Sequence, residues 1–170
     1  MNPKHFLILF IIGYVLMHIL YFLIPDSFLL GTIYRWVIVL PSVAAINLLS
    51  PQEGVHGVAS AIVSGRASLE VVRGCDGSGA IFLLSSAILA FPSRWRAKLL
   101  GFAGGFLLVY GLNQVRIIGL YFVEAYRKDW FTLLHVYLAP TLVVIVSALY
   151  FVSWAIRQHV SRGTAANGNF

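Results

Sequence analysis

A single cysteine, Cys75, occurs in the 170 residues. It excludes an intrachain disulfide and any zinc or iron–sulfur site built from several thiolates. Charge is equally scarce. Only 11% of the residues are Asp, Glu, Lys or Arg, where a soluble domain carries roughly a quarter, so the chain has too few charges for a water-facing surface. Twelve basic residues outnumber six acidic ones, yet they form no single patch of the kind that grips nucleic acid. They fall between and beside apolar runs. A phosphate-binding loop, a dinucleotide fingerprint and a dense cluster of metal ligands are all missing, and no cofactor or metal is expected. The sequence shows no internal repeat and no low-complexity tract.

Apolar residues, by contrast, fill 59% of the chain, and the mean hydropathy is +0.86. Runs of about 20 apolar residues recur, the length that crosses a hydrocarbon core of roughly 30 Å. The sequence therefore predicts an all-α membrane protein in one domain, with about five transmembrane helices over residues 6–24, 28–49, 76–91, 97–121 and 131–156, and a polar, frayed tail over 157–170. The first run lacks a small-residue cleavage site and reads as a retained helix; Pro25-Asp26-Ser27 ends it, and Pro41 marks a kink in the second. Residues 50–74 are more polar. There a Ser64-Gly65 turn between β-prone runs predicts a small hairpin on the membrane surface. Gly101, Gly104 and Gly105 suit close helix packing. Trp36, Trp95, Trp130 and Trp154 suit interfacial anchors. His18 reads as a core residue bonded to a neighbour, and His56 and His159 as solvated.

Orientation follows from Lys and Arg. Arg94, Arg96 and Lys98 crowd the third connection and place it in the cytoplasm, with Arg157 and Arg162 on the same side. Residues 50–74 and the 124–130 loop are then extracytoplasmic, as is the N-terminus, against the preference of Lys4. With a rise of 1.5 Å per residue, Phe91 back to Cys75 climbs ~24 Å, Lys98 to Arg116 ~27 Å, and Arg157 back to His135 ~33 Å. Three reactive residues on three consecutive helices therefore reach one depth, the outer boundary of the membrane.

Their chemistry is complementary. Cys75, in Arg73-Gly74-Cys75-Asp76-Gly77, sits where the third helix is expected to begin, and unpaired N–H groups there favour thiolate. Arg73 and Arg116 push the same way, while Asp76 and burial oppose. His135, at the head of the fifth helix, is a candidate base held neutral by the dipole. Arg116 is costly so deep in an apolar run without an anionic task, and a developing oxyanion is one. Asn113 shares its helical face and could orient Arg116 or a substrate carbonyl. Each residue also has a plainer reading, as a packing cysteine, a snorkelling arginine and an interfacial histidine.

The ordered set Leu69-Glu-Val-Val-Arg-Gly-Cys75-Asp-Gly, Asn113-Gln-Val-Arg116-Ile and His135 resembles the core of the exosortase/archaeosortase family over about residues 59–155. The resemblance implies a helical membrane enzyme that processes C-terminal sorting signals, of the type called PEP-CTERM in bacteria: a short motif, a transmembrane helix and a basic tail. It also implies that Cys75 attacks the scissile carbonyl to form a thioester, His135 moves the proton, Arg116 stabilises the oxyanion and an amine acceptor resolves the acyl-enzyme. The implied partners are membrane-anchored protein substrates and the lipid bilayer, with helper membrane subunits where the short chain lacks recognition spans. The implied location is the cytoplasmic membrane, with the site facing outward. Asp76 departs from the family's more usual Ser or Ala. Asp76 either disfavours thiolate or orients His135. Two rivals remain: a serine protease using Ser78 with His135, and a non-catalytic assembly or transport subunit of an export system.

Overall fold

A computed structural model describes the backbone of residues 3–167 and the side chains of residues 3–158. The side chains of His159 and Arg162 lie outside the described residues. Four helices are long and apolar enough to cross a membrane: α1 (Pro3–Phe22), α2 (Asp26–Leu49), α4 (Trp95–Tyr126) and α5, whose span is Lys128–Gln158. The fifth apolar helix, α3 (Ser78–Ala90), is shorter. This is the all-α polytopic architecture expected. The expected frayed tail instead continues α5 as helix through Asn167.

The short helix is the axis of the bundle. α3 packs against α1, α4 and α5, and buries Leu84, Ser85, Ser86, Ala87, Ile88 and Ala90. By contrast α1 fully buries only Tyr21; one face rests on α3, and the opposite face presents Leu7, Ile8, Ile11, Ile12, Val15 and Ile19 outward, an apolar surface of the kind that suits lipid. The glycine stripe behaves as expected. A Cβ on Gly101 would lie 2.5 Å from Trp154 Nε1, and one on Gly105 2.6 Å from Leu84 Cδ2, so only glycine allows these approaches. Trp154 is consequently no interfacial anchor. It is 8% exposed, and its ring nitrogen donates to the Ala97 carbonyl at 3.2 Å.

α2 changes register along its length. Leu29–Val39 is π-helical, and the α-helical part runs from Leu40 to Leu49. The change falls one residue before Pro41, which has no N–H to give to either ladder; the expected kink site is thus a switch of hydrogen-bond register. Beyond α2 the predicted hairpin is a three-stranded antiparallel sheet, β1 (His56–Val58), β2 (Ala61–Val63) and β3 (Ser68–Glu70). β2 and β3 join through the expected Ser64-Gly65 turn, pairing Val63 with Ser68. β1 is additional, joined to β2 through Ala59 at φ +51.

The sheet is fastened to the helices by polar contacts. Asn47 accepts from the Val55 N–H at 2.9 Å and donates to its carbonyl at 2.8 Å. Glu53 is buried, with the Tyr121 hydroxyl at 3.0 Å and the Tyr126 hydroxyl also donating to it. The Tyr126 hydroxyl, ahead of Tyr121 and Arg66, holds the Glu53 carboxyl below its ordinary range despite burial. These bonds fix the sheet over the ends of α2 and α4, at the end of the bundle that carries Cys75.

Candidate active site

Val71 to Gly77 is an irregular loop, and its shape depends on two glycines. Gly74 and Gly77 have φ +86 and +82, a region that costs other residues roughly 1–2 kcal/mol. Gly77 is also closely approached, because a Cβ there would stand 3.2 Å from the Asn113 side chain, which would have to give way. The Cys75 N–H donates to the Val72 carbonyl at 3.0 Å. Helix α3 begins only at Ser78, with Gly77 as its N-cap, so Cys75 lies before the first helical turn rather than in it.

Asp76 braces this loop. Its Oδ1 accepts from Ser78 Oγ at 2.9 Å and the Gly74 N–H at 3.2 Å, and its Oδ2 from the Tyr21 hydroxyl at 2.8 Å. Tyr21 is in turn bonded to Tyr34, which is 1% exposed. The chain Tyr34–Tyr21–Asp76 thus ties α2 and α1 to the residue after Cys75. Asp76 has no bond to His135, so it orients the loop and not the ring. Arg73 also takes another task than the expected one. Its Nε donates to Asp26 at 2.6 Å, its Nη1 to the Tyr21 carbonyl at 2.8 Å and its Nη2 to the Ile24 carbonyl, which clamps the turn between α1 and α2.

Cys75, Arg116 and His135 come together from the loop, α4 and α5. Cys75 Sγ is 3.5 Å from His135 Nε2, and Arg116 Nη2 donates to the His135 carbonyl at 3.3 Å. His135 sits not at the helix head but within a π-helical stretch, Leu133–Leu138, of the kind that recurs at functional sites. Its ring stacks on Phe131, centroids 5.2 Å apart. Burial pushes the Cys75 thiol above its ordinary pKa; Arg116 pulls it back, and Asp76 adds to the rise. The sign that composition left open is thus upward, with burial the largest cause.

Three buried polar atoms here have no protein partner: Asn113 Oδ1, Arg116 Nε and His135 Nδ1. Buried polar groups are otherwise nearly always paired, and three together mark a place built for a polar guest. Gly74, Gly77, Arg116, Tyr14, Pro140 and Val143 line a cavity of about 250 Å³. Through Leu83 it meets a furrow of about 290 Å³ between Phe10 of α1 and Phe151 of α5. The two cavities thus lie on either side of Leu83 along α3. Ser78 does not form the rival pair, since its hydroxyl is spent on Asp76 while His135 Nε2 faces sulfur. His18 is bonded within its own helix, to the Tyr14 carbonyl at 3.0 Å. No group of three or more metal-ligating side chains occurs among the described residues.

Tyr21 and Tyr34 went unread in the sequence. Their signal is a hydroxyl in an apolar span, which needs a partner when buried. Tyr21→Phe strands both the Tyr34 hydroxyl and an Asp76 oxygen, and is expected to cost about 1–3 kcal/mol. Tyr34→Phe removes only the outer link, about 1 kcal/mol. Thermal unfolding of both variants in detergent checks the order; equal losses would contradict it.

The family model for transmembrane exosortases matches residues 4–153, nearly the whole chain. No curated protein and no solved structure matches it.

Proposed function

We propose that this chain, which belongs to the transmembrane exosortase family, is a cysteine transpeptidase or protease that cuts a C-terminal sorting signal from membrane-anchored proteins. The observation that carries the reading is the facing pair of Cys75 Sγ and His135 Nε2 at 3.5 Å, with Arg116 held against the same histidine. For His135 to act, Nε2 must be the bare nitrogen and Nδ1 must carry the ring proton. The thiol proton passes to Nε2 as Sγ attacks the scissile carbonyl. Arg116, whose Nε is unpartnered, donates to the oxyanion. Collapse breaks the peptide bond, the leaving amine takes the proton from Nε2, and an acyl thioester remains on Cys75. An acceptor amine then attacks the thioester, forming a new amide and returning the proton to sulfur. Asn113, buried beside Gly77, would receive a substrate N–H.

The Lys and Arg distribution supports placement in the cytoplasmic membrane with Cys75 at the outer face. The furrow along α3 supports a substrate that arrives through the lipid, its apolar segment between α1 and α5. The test is capture of the thioester. Enzyme isolated from cells that make a sorting-signal protein should carry an adduct of the processed substrate's mass on Cys75. Neutral hydroxylamine should release that adduct. An adduct on another residue, or one resistant to hydroxylamine, would refute the thioester.

A further inference from the structure

The largest cavity of those described lies at the other end of the bundle, and the chemistry above does not use it. About 530 Å³ opens between the start of α4 and the end of α5, lined by Arg94, Arg96, Leu100, Trp154, Arg157 and Gln158. Arg94 is 22 positions before Arg116 on the same run of chain, which at 1.5 Å per residue puts it roughly 33 Å away along the axis. The two sites are independent.

The polarity of this cavity is layered. Arg94 and Arg96 are exposed at its mouth, and Gly101 and Trp154 are buried at its floor. The polar atoms of the floor are already occupied: Trp154 Nε1 donates to the Ala97 carbonyl, and the Tyr150 hydroxyl to the Gly101 carbonyl at 2.8 Å. A guest therefore meets an apolar floor and a cationic rim. All six acidic residues, Asp26, Glu53, Glu70, Asp76, Glu124 and Asp129, lie toward the Cys75 end, away from Arg94 and Arg96. Beside the mouth, Trp95 and Leu100 are 64% and 75% exposed, at the level where the helices leave the hydrocarbon.

We propose that this cavity binds the phosphate headgroup of an anionic phospholipid, with the acyl chains lying beside Leu100. The charges meet a diester phosphate, and the apolar floor and flank meet the glycerol and chains. A free phosphate would leave the floor unfilled. Basic pockets between transmembrane helices bind such headgroups, and near an anionic membrane surface each Lys or Arg contributes about 1 kcal/mol, about fivefold.

The full-length protein, purified in detergent, would be titrated with phosphatidylglycerol, phosphatidylcholine of the same chains, and inorganic phosphate, following lipid occupancy by native mass spectrometry and thermal unfolding. Phosphatidylglycerol should bind and raise the unfolding temperature, and the other two should not. R94Q/R96Q should weaken phosphatidylglycerol by roughly 25-fold while Cys75 keeps its activity. Binding to the unaltered protein should also fall as salt rises, a readout that stands even where the double variant folds poorly. Equal occupancy by phosphatidylcholine, an effect reproduced by inorganic phosphate, or full retention in R94Q/R96Q would each overturn the proposal.

Discussion

Cys75→Ala is expected to leave the sorting-signal substrate at full length, with the enzyme itself at its normal level in the membrane. The side chain is half-buried in a loop whose backbone bonds run through Cys75 N–H, Gly74, Asp76 and Gly77, none of which needs the sulfur. Loss of processing without loss of protein therefore isolates the nucleophile. Cys75→Ser sharpens the point. A hydroxyl there keeps shape and hydrogen bonding but is a far poorer nucleophile than a thiol, so processing should fall to near the alanine level. Measured by substrate mass and location, continued processing in both variants would end the catalytic reading and favour an assembly or transport subunit.

The pH dependence has a definite sign. Burial raises the pKa of Cys75 in the structure, so at neutral pH less thiolate is present than on a free cysteine. Alkylation of Cys75 by iodoacetamide should accordingly inflect above the ordinary thiol range. An inflection well below it would mean a resting thiolate–imidazolium pair instead.

Arg116→Gln is the second large effect. Removing one oxyanion donor from a preorganised site typically slows turnover by ~10²–10³, and this arginine also lowers the thiol pKa, so its loss should move the alkylation inflection further upward. A merely anchoring arginine would reduce protein level or stability and leave that inflection in place. Kinetics on a sorting-signal peptide in detergent separate the cases: kcat should fall far more than KM rises. Lysine should rescue only part, since it supplies the charge as a point and not the planar fork that reaches both the His135 carbonyl and a second acceptor.

The convergence of Cys75, Arg116 and His135 could be read without coordinates because it depends on three coarse quantities, the positions of Arg94 to Lys98 and Arg157, helical rise and membrane thickness. What stayed hidden depends on side-chain direction or distant pairing. Arg73 looked available to the thiol because the two are near in sequence; its partner Asp26 is 47 residues away, brought close by the turn between α1 and α2. Trp154 resembled an anchor by type, and only Gly101 facing it makes room for its burial. The π-helical stretch around His135 has no sequence signature, since Leu-Leu-His-Val-Tyr-Leu reads equally as α-helix. β1 was missed because Gly57 weakens its strand pattern, although a side chain at that position would collide with Val39 Cγ1 at 2.8 Å.

The shortness of α3 has a consequence for how a peptide bond inside a bilayer meets water. Thirteen residues rise only ~20 Å, well short of a hydrocarbon core of roughly 30 Å. The remainder of that crossing is loop, with its amides bonded to Val72 and Asp76. Irregular backbone at such depth is tolerated only where protein or a wet cavity surrounds it. A loop of this kind would bring the aqueous boundary down toward Cys75. Under the proposed function, a membrane-anchored substrate would not have to be lifted out of the lipid to be cut, and the energetic cost of exposing its apolar segment would be avoided.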